Sequence, residues 1–178
     1  MKGIFVACIL ISNVLFGQRI YWSENVKLKW SNFKSRVNNQ HGSNVAAYTN
    51  CGWIYSYVKS SNPKVPIKIK IETVFNEDKS WKDVKRINDY VLLHEQKHFD
   101  VAEIFSRKLR KEVAEKIKSN SDFDRYFKDI YARILKEYQD FQKAYDGETK
   151  NGIVEEKQSE YNRIIAEELE NYKSYKAY

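Results

Sequence analysis

Two histidines and a glutamate stand close together near the middle of the chain, in the run Leu92-Leu93-His94-Glu95-Gln96-Lys97-His98-Phe99-Asp100. The H-E-x-x-H spacing has a chemical meaning only on a helix. Four residues advance a helix by about one turn, so both imidazoles leave one face and can take two corners of a metal's coordination shell. Glu95 lies one position on, about 100° round the axis, where its carboxylate can reach a water on the metal without binding the metal itself. Zinc suits this set, because neutral histidines hold it without cancelling its charge. The chemistry expected is hydrolysis, in which zinc polarises a carbonyl while Glu95 takes a proton from water and passes it to the leaving amine. The chain has just three histidines. The third, His41, sits in the turn-prone run NNQHGSN and reads as an ordinary surface residue.

A third ligand has to come from another element. On the same helix Ala102 and Phe105 continue the metal-facing side and cannot bind, Glu103 faces the other way, and Glu112 and Glu115 lie roughly 20 Å or more along the axis. From Trp81 to Asp146 there is neither glycine nor proline, and apolar residues recur at three- and four-residue intervals, which predicts long helices. Ser80 with Asp83 and Ser121 with Asp124 have capping-box spacing, aspartate replacing the usual glutamate, and mark two helix starts. The first helix is expected to run to about Lys118, the second to about Tyr145, and a third from Glu155 to Tyr175. Ahead of them, Val26, Leu28 and Trp30 alternate as in a half-buried strand, residues 45–58 are rich in aromatic and branched side chains, and IKIKIETVF puts Ile67, Ile69, Ile71 and Thr73 on one face. The fold class is therefore α+β, a small antiparallel sheet followed by three long helices, the first carrying the H-E-x-x-H motif.

Helix lengths locate the missing ligand. From His94 to Lys118 is about 36 Å of helix, and an equal return from Asp122 reaches Asp146. Tyr145 to Gly152 then ends beside His94 and offers two acids, Asp146 and Glu148. Glu148 is the expected third ligand because its longer side chain has more reach from a glycine-rich turn, with Asp146 as the alternative.

Residues 1–17 have the form of a secretory signal peptide, with Lys2 ahead of an apolar run that closes at Gly17. Cleavage there leaves one domain, residues 18–178, in the periplasm or outside the cell. The run is shorter than the ~20 residues a membrane span needs, so no stable membrane insertion is expected after cleavage. Cys8 leaves with the leader. The remaining Cys51 has no partner for an internal disulfide and reads as a small buried side chain. The net charge of +7 includes Lys2. Lysines and glutamates alternate along the predicted helices, so the excess is read as solvated helix faces and not as a nucleic-acid surface. No serine triad and no glycine-rich phosphate loop is present.

The stretches Leu28-Lys29-Trp30-Ser31-Asn32-Phe33, Ala47-Tyr48-Thr49, Trp53-Ile54-Tyr55, HEQKHFD with Ala102-Glu103, Tyr145 to Gly152 and Gln158 together resemble a family of secreted bacterial proteins classed as domain of unknown function 922. That family is described as predicted zinc-dependent proteases. The resemblance implies an exported metal-binding protein acting on peptides or proteins. In the family pattern a histidine often stands where this chain has Asn151, and an amide oxygen is a poorer zinc ligand than imidazole or carboxylate. Two functions are thus expected to compete: a zinc-dependent peptide hydrolase, and a non-catalytic envelope protein with a degenerate or structural metal site.

Overall fold

The computed structural model describes residues 18–38, 45–62 and 65–177. The expected leader, its cleavage point after Gly17, and His41 fall outside the described residues, apart from Gln18 onward. Among the described residues the strands are β1 (Arg19–Tyr21), β2 (Ala47–Tyr48), β3 (Cys51–Val58), β4 (Lys68–Asn76) and β5 (Trp81–Lys82). The helices α1 (Asp89–Lys116), α2 (Asn120–Thr149) and α3 (Glu155–Asn171) follow. The α+β class holds, with His94, Glu95 and His98 on α1.

Strand β4 is central, flanked by β1 and β3 in an antiparallel sheet. Its alternation acts as the sequence predicts: Ile71 and Thr73 are buried, while Lys68 and Lys70 are exposed. On the same face, the side chains of β3 meet α2. Trp53 lies 5.2 Å from Tyr138, Tyr55 4.8 Å from Phe127 and Tyr57 4.5 Å from Phe123, between ring centroids. Such pairs add roughly 0.5–1.5 kcal/mol each beyond their buried area, enough to fix α2 against the sheet. Val101, Phe105 and Leu109 of α1 are buried with Ile71 of β4, Ile134 of α2 and Ile165 of α3, so α1 packs against the sheet and both other helices.

A short link joins α1 to α2, which returns antiparallel: Arg133 pairs with Glu112, and Gln142 lies beside His98. Glu103 does face away from the metal side. It is buried and accepts hydrogen bonds from Arg107 Nε at 2.8 Å, Arg110 Nη1 at 3.1 Å and Thr73 Oγ1 at 2.6 Å. Arg110 also donates to the carbonyls of Ile71 and Tyr175, which fastens the chain's end to α1.

Several boundaries differ from the sequence reading. Val26, Leu28 and Trp30 form no strand. Leu28 is instead buried with Phe33, Phe75 and Phe99, and its backbone N–H bonds the side chain of Gln96 at 2.8 Å. Helix α1 starts after Asn88, whose side chain accepts from Val91 N–H, and not at Ser80. Ser80 is taken by a turn, accepting from Asn50 N–H and donating to the Asn76 carbonyl, because Trp81 and Lys82 pair with Tyr48 and Ala47. Helix α2 is capped by Ser119 and Asp122, two residues before the expected pair. It also continues through Gly147 to Thr149. No helix among the described residues is long and apolar enough to cross a membrane.

Candidate metal centre

Both motif histidines project from α1 toward the last turns of α2, where Asp146 meets them. Asp146 Oδ1 is 3.2 Å from His94 Nε2 and 2.9 Å from His98 Nε2, and the two Nε2 atoms are 3.1 Å apart. Zinc bonds of about 2.0–2.1 Å in a tetrahedron require ligand atoms about 3.3 Å apart. The three atoms thus already form one face of such a tetrahedron. His94, His98 and Asp146 are a cluster able to coordinate a metal ion.

The rings are held from behind. His94 Nδ1 lies 2.8 Å from Gln158 Oε1, and His98 Nδ1 lies 2.6 Å from Gln142 Oε1. Tyr145 stacks on His94 with centroids 4.6 Å apart. Gly152 packs closely against the same ring: its φ is +85°, and a Cβ there would sit 3.2 Å from His94 Cγ. Lys150 and Asn151, at φ 49° and 56°, make the left-handed turn that brings Gly152 back. Gln142 was not singled out by the sequence reading, and Gln158 entered it only through the family resemblance. Gln142 had one usable signal, lying one helical turn before Asp146 on the same face.

Glu95 is 4 % exposed, and its Oε2 has no hydrogen-bond partner. A buried carboxylate oxygen left unpaired is costly unless something absent from the protein atoms satisfies it. The residue Glu95 borders, with both histidines, a cavity of about 380 Å³ also lined by residues 45–49 and by Tyr138, Gln139, Gln142 and Asp146. Burial works against a charged His98, but the carboxylate of Asp146, its hydrogen bond and the nearby Glu95 outweigh it and raise the imidazole to about 9. Burial likewise opposes ionisation of Asp146, and the two imidazoles overcome it, holding the carboxyl well below its usual range. Cys51, in β3, is pushed up to about 12 by burial, with Glu95 and Asp100 adding to the effect. Its thiol donates to the His98 carbonyl at 3.3 Å, in keeping with a packed structural cysteine.

Glu148 is not brought to the cluster. Because α2 continues through Gly147, residue 148 lies about 200° round the axis from 146. Its carboxylate faces Lys157, 3.8 Å away, and is half exposed. The oxygen beside the histidines belongs to Asp146. Asn151 lines the cavity without belonging to the three-residue cluster.

Residues 27–152 match the family model described as "Bacterial protein of unknown function (DUF922)". The chain belongs to this family. No curated protein and no solved structure matches it. The DUF922 span ends at Gly152, the glycine against His94. Helix α3 lies beyond that span and still supplies Gln158 to the same ring.

Proposed function

We propose that this protein is a zinc-dependent peptide hydrolase acting in the periplasm or outside the cell. The observation that carries the reading is the geometry of three ligand atoms 2.9–3.2 Å apart beside a buried carboxylate with an unpaired oxygen. A zinc ion held by His94, His98 and Asp146 would supply Lewis-acid polarisation of a carbonyl and of water. Glu95 is the general base: its unpaired Oε2 accepts the proton of the attacking water and returns it to the departing amine nitrogen. Burial keeps bulk water from competing for that oxygen.

The cavity wall supports an extended peptide as substrate. Strand β2 pairs only with β5 among the described residues, and Ala46 O accepts from Asp83 N–H on that side. By antiparallel alternation the N–H and C=O of Ala47 then point away from β5, along the edge that borders the cavity. Glu95 lines the same cavity as Ala47, so an extended chain paired with that edge is the substrate class we propose. Export rests on the leader-like residues 1–17.

Glu95→Gln tests the reading. Zinc content, measured by elemental analysis, is expected to stay near that of the parent, while cleavage of an unstructured protein substrate falls by about 10²–10⁴-fold, the usual contribution of a general base. Undiminished cleavage in Glu95→Gln removes the catalytic assignment. A parent protein that binds zinc tightly and cleaves nothing becomes instead an envelope protein with a structural metal site.

A further inference from the structure

We propose that Gln142 and Gln158 are the positioning residues of the metal site: each accepts the Nδ1 proton of one histidine, which fixes that ring's tautomer and aims both Nε2 lone pairs at one point beside Asp146. The inference rests on the metal reading but not on hydrolysis.

An amide can be turned end for end, so its direction must be deduced from neighbours that only accept or only donate. For Gln142 the decisive neighbour is the backbone carbonyl of His98, which only accepts and lies 3.0 Å from Nε2. The NH2 end is therefore committed there, and the oxygen faces His98 Nδ1 at 2.6 Å. That ring nitrogen must carry a proton. Gln142 thus grips both the backbone and the ring of one ligand.

The second amide is keyed through Tyr145. The tyrosine's one proton goes to the His94 carbonyl at 3.3 Å, the neighbour that only accepts. Its oxygen is then left to accept from Gln158 Nε2 at 2.7 Å, and the same NH2 donates to Asn162 at 2.9 Å. Gln158 Oε1 is again the end that meets a ring, His94 Nδ1 at 2.8 Å. Gln158 is 1 % exposed, so no water replaces it readily.

Neutral amides have a consequence that carboxylates in the same places would not. They orient the rings without adding negative charge, so a bound cation keeps more of its electrophilic character. They also make α3 part of the centre, since α3 supplies the Nδ1 partner of His94.

Two measurements on the full-length processed protein test this. One- and two-bond proton–nitrogen correlations of the imidazoles report which nitrogen is protonated. Both rings are expected to carry the proton on Nδ1 in the zinc-loaded protein, with zinc on Nε2. Zinc attached through Nδ1 of either ring overturns the proposal. Zinc affinity, measured by competition with a chromophoric chelator, is expected to fall about 10–100-fold in Gln142→Leu and in Gln158→Leu. Gln158→Glu keeps an acceptor of the same shape and is expected to stay within about threefold of the parent or bind tighter. Parental affinity in both leucine variants overturns the assignment. If circular dichroism shows that a leucine variant is unfolded, the ring correlations of the parent and the Gln158→Glu affinity decide alone. A parent that takes up no zinc removes the metal reading itself, and a proton on Nε2 of a neutral His94 in that metal-free chain overturns the positioning role as well.

Discussion

The choice between Asp146 and Glu148 as third ligand has a measurable size. Structural zinc sites bind with roughly 10–16 kcal/mol shared among four ligands, so one ligand accounts for roughly 3 kcal/mol, or about a hundredfold in affinity. Asp146→Asn keeps the side chain's volume and removes its charge. The loss is expected to exceed the single-ligand figure, because Oδ1 sits 3.2 and 2.9 Å from the two Nε2 atoms and an amide nitrogen turned into that place donates to one of their lone pairs. The metal must then break that hydrogen bond before it binds. Glu148→Gln alters a half-exposed group beside Lys157 and is expected to leave affinity within about twofold, the scale of exposed ion pairs. Chelator competition at pH 7.5 measures both. An Asp146→Asn protein within about threefold of the parent, or a Glu148→Gln protein that loses as much as Asp146→Asn, refutes the ligand assignment.

Gly152→Ala is expected to destabilise the protein by about 2 kcal/mol in denaturant unfolding, since φ +85° is strained for alanine and the new Cβ meets His94 Cγ at 3.2 Å. Its zinc affinity is expected to fall with it, and an unchanged affinity would show that His94 does not depend on this wall. In the metal-free protein, His98 is raised from 6.5 to about 9, so its contribution to stability is fully present below pH 6.5 and lost as pH rises through 9. The decline should be about 2 kcal/mol, discounted for the partial exposure of Asp146, and should vanish in Asp146→Asn. Unfolding curves at pH 6 and pH 9.5 check both the sign and the dependence on Asp146.

The parts of the site legible in the sequence are those governed by helical period and helix length. The spacing of His94 and His98 puts both on one face of α1, and the matched lengths of α1 and α2 return residue 146 to them. The choice of acid was decided by a different quantity. A turn from Tyr145 to Gly152 would favour Glu148 by side-chain reach; in the folded chain the helix passes through Gly147, and angle round the axis brings Asp146 to the histidines. The misplaced start of α1 has a similar origin. Ser80 and Asn88 are both competent caps locally, and the pairing of β5 with β2, a contact between distant segments, takes Ser80 out of contention. The roles of Gln142 and Gln158 are hard to read from sequence because an amide at a histidine's back has no fixed spacing from it; the one signal for Gln142 is its place a turn before Asp146, and Gln158 is marked only by the family resemblance. The role of Gln142 is visible only once Asp146 has fixed which face of α2 looks at α1, and that of Gln158 only once α3 is seen to pack against His94.

Net charge also misleads about the cavity until the fold is in hand. Much of the basic charge is spent along the helices in one-turn pairs such as Lys116 with Glu112, Arg133 with Glu137, Lys136 with Asp140 and Arg163 with Glu167. Such exposed pairs contribute a few tenths of a kcal/mol each and little beyond a Debye length. The cavity itself is bordered by Glu95 and Asp146, and no lysine or arginine is among the described residues that line it. The local field there therefore opposes the sign of the whole protein: it favours entry of a divalent cation and offers an anionic ligand no counter-charge from a lysine or arginine in the lining. With two neutral imidazoles and the single carboxylate of Asp146 as ligands, a dication in the proposed site keeps a net positive charge.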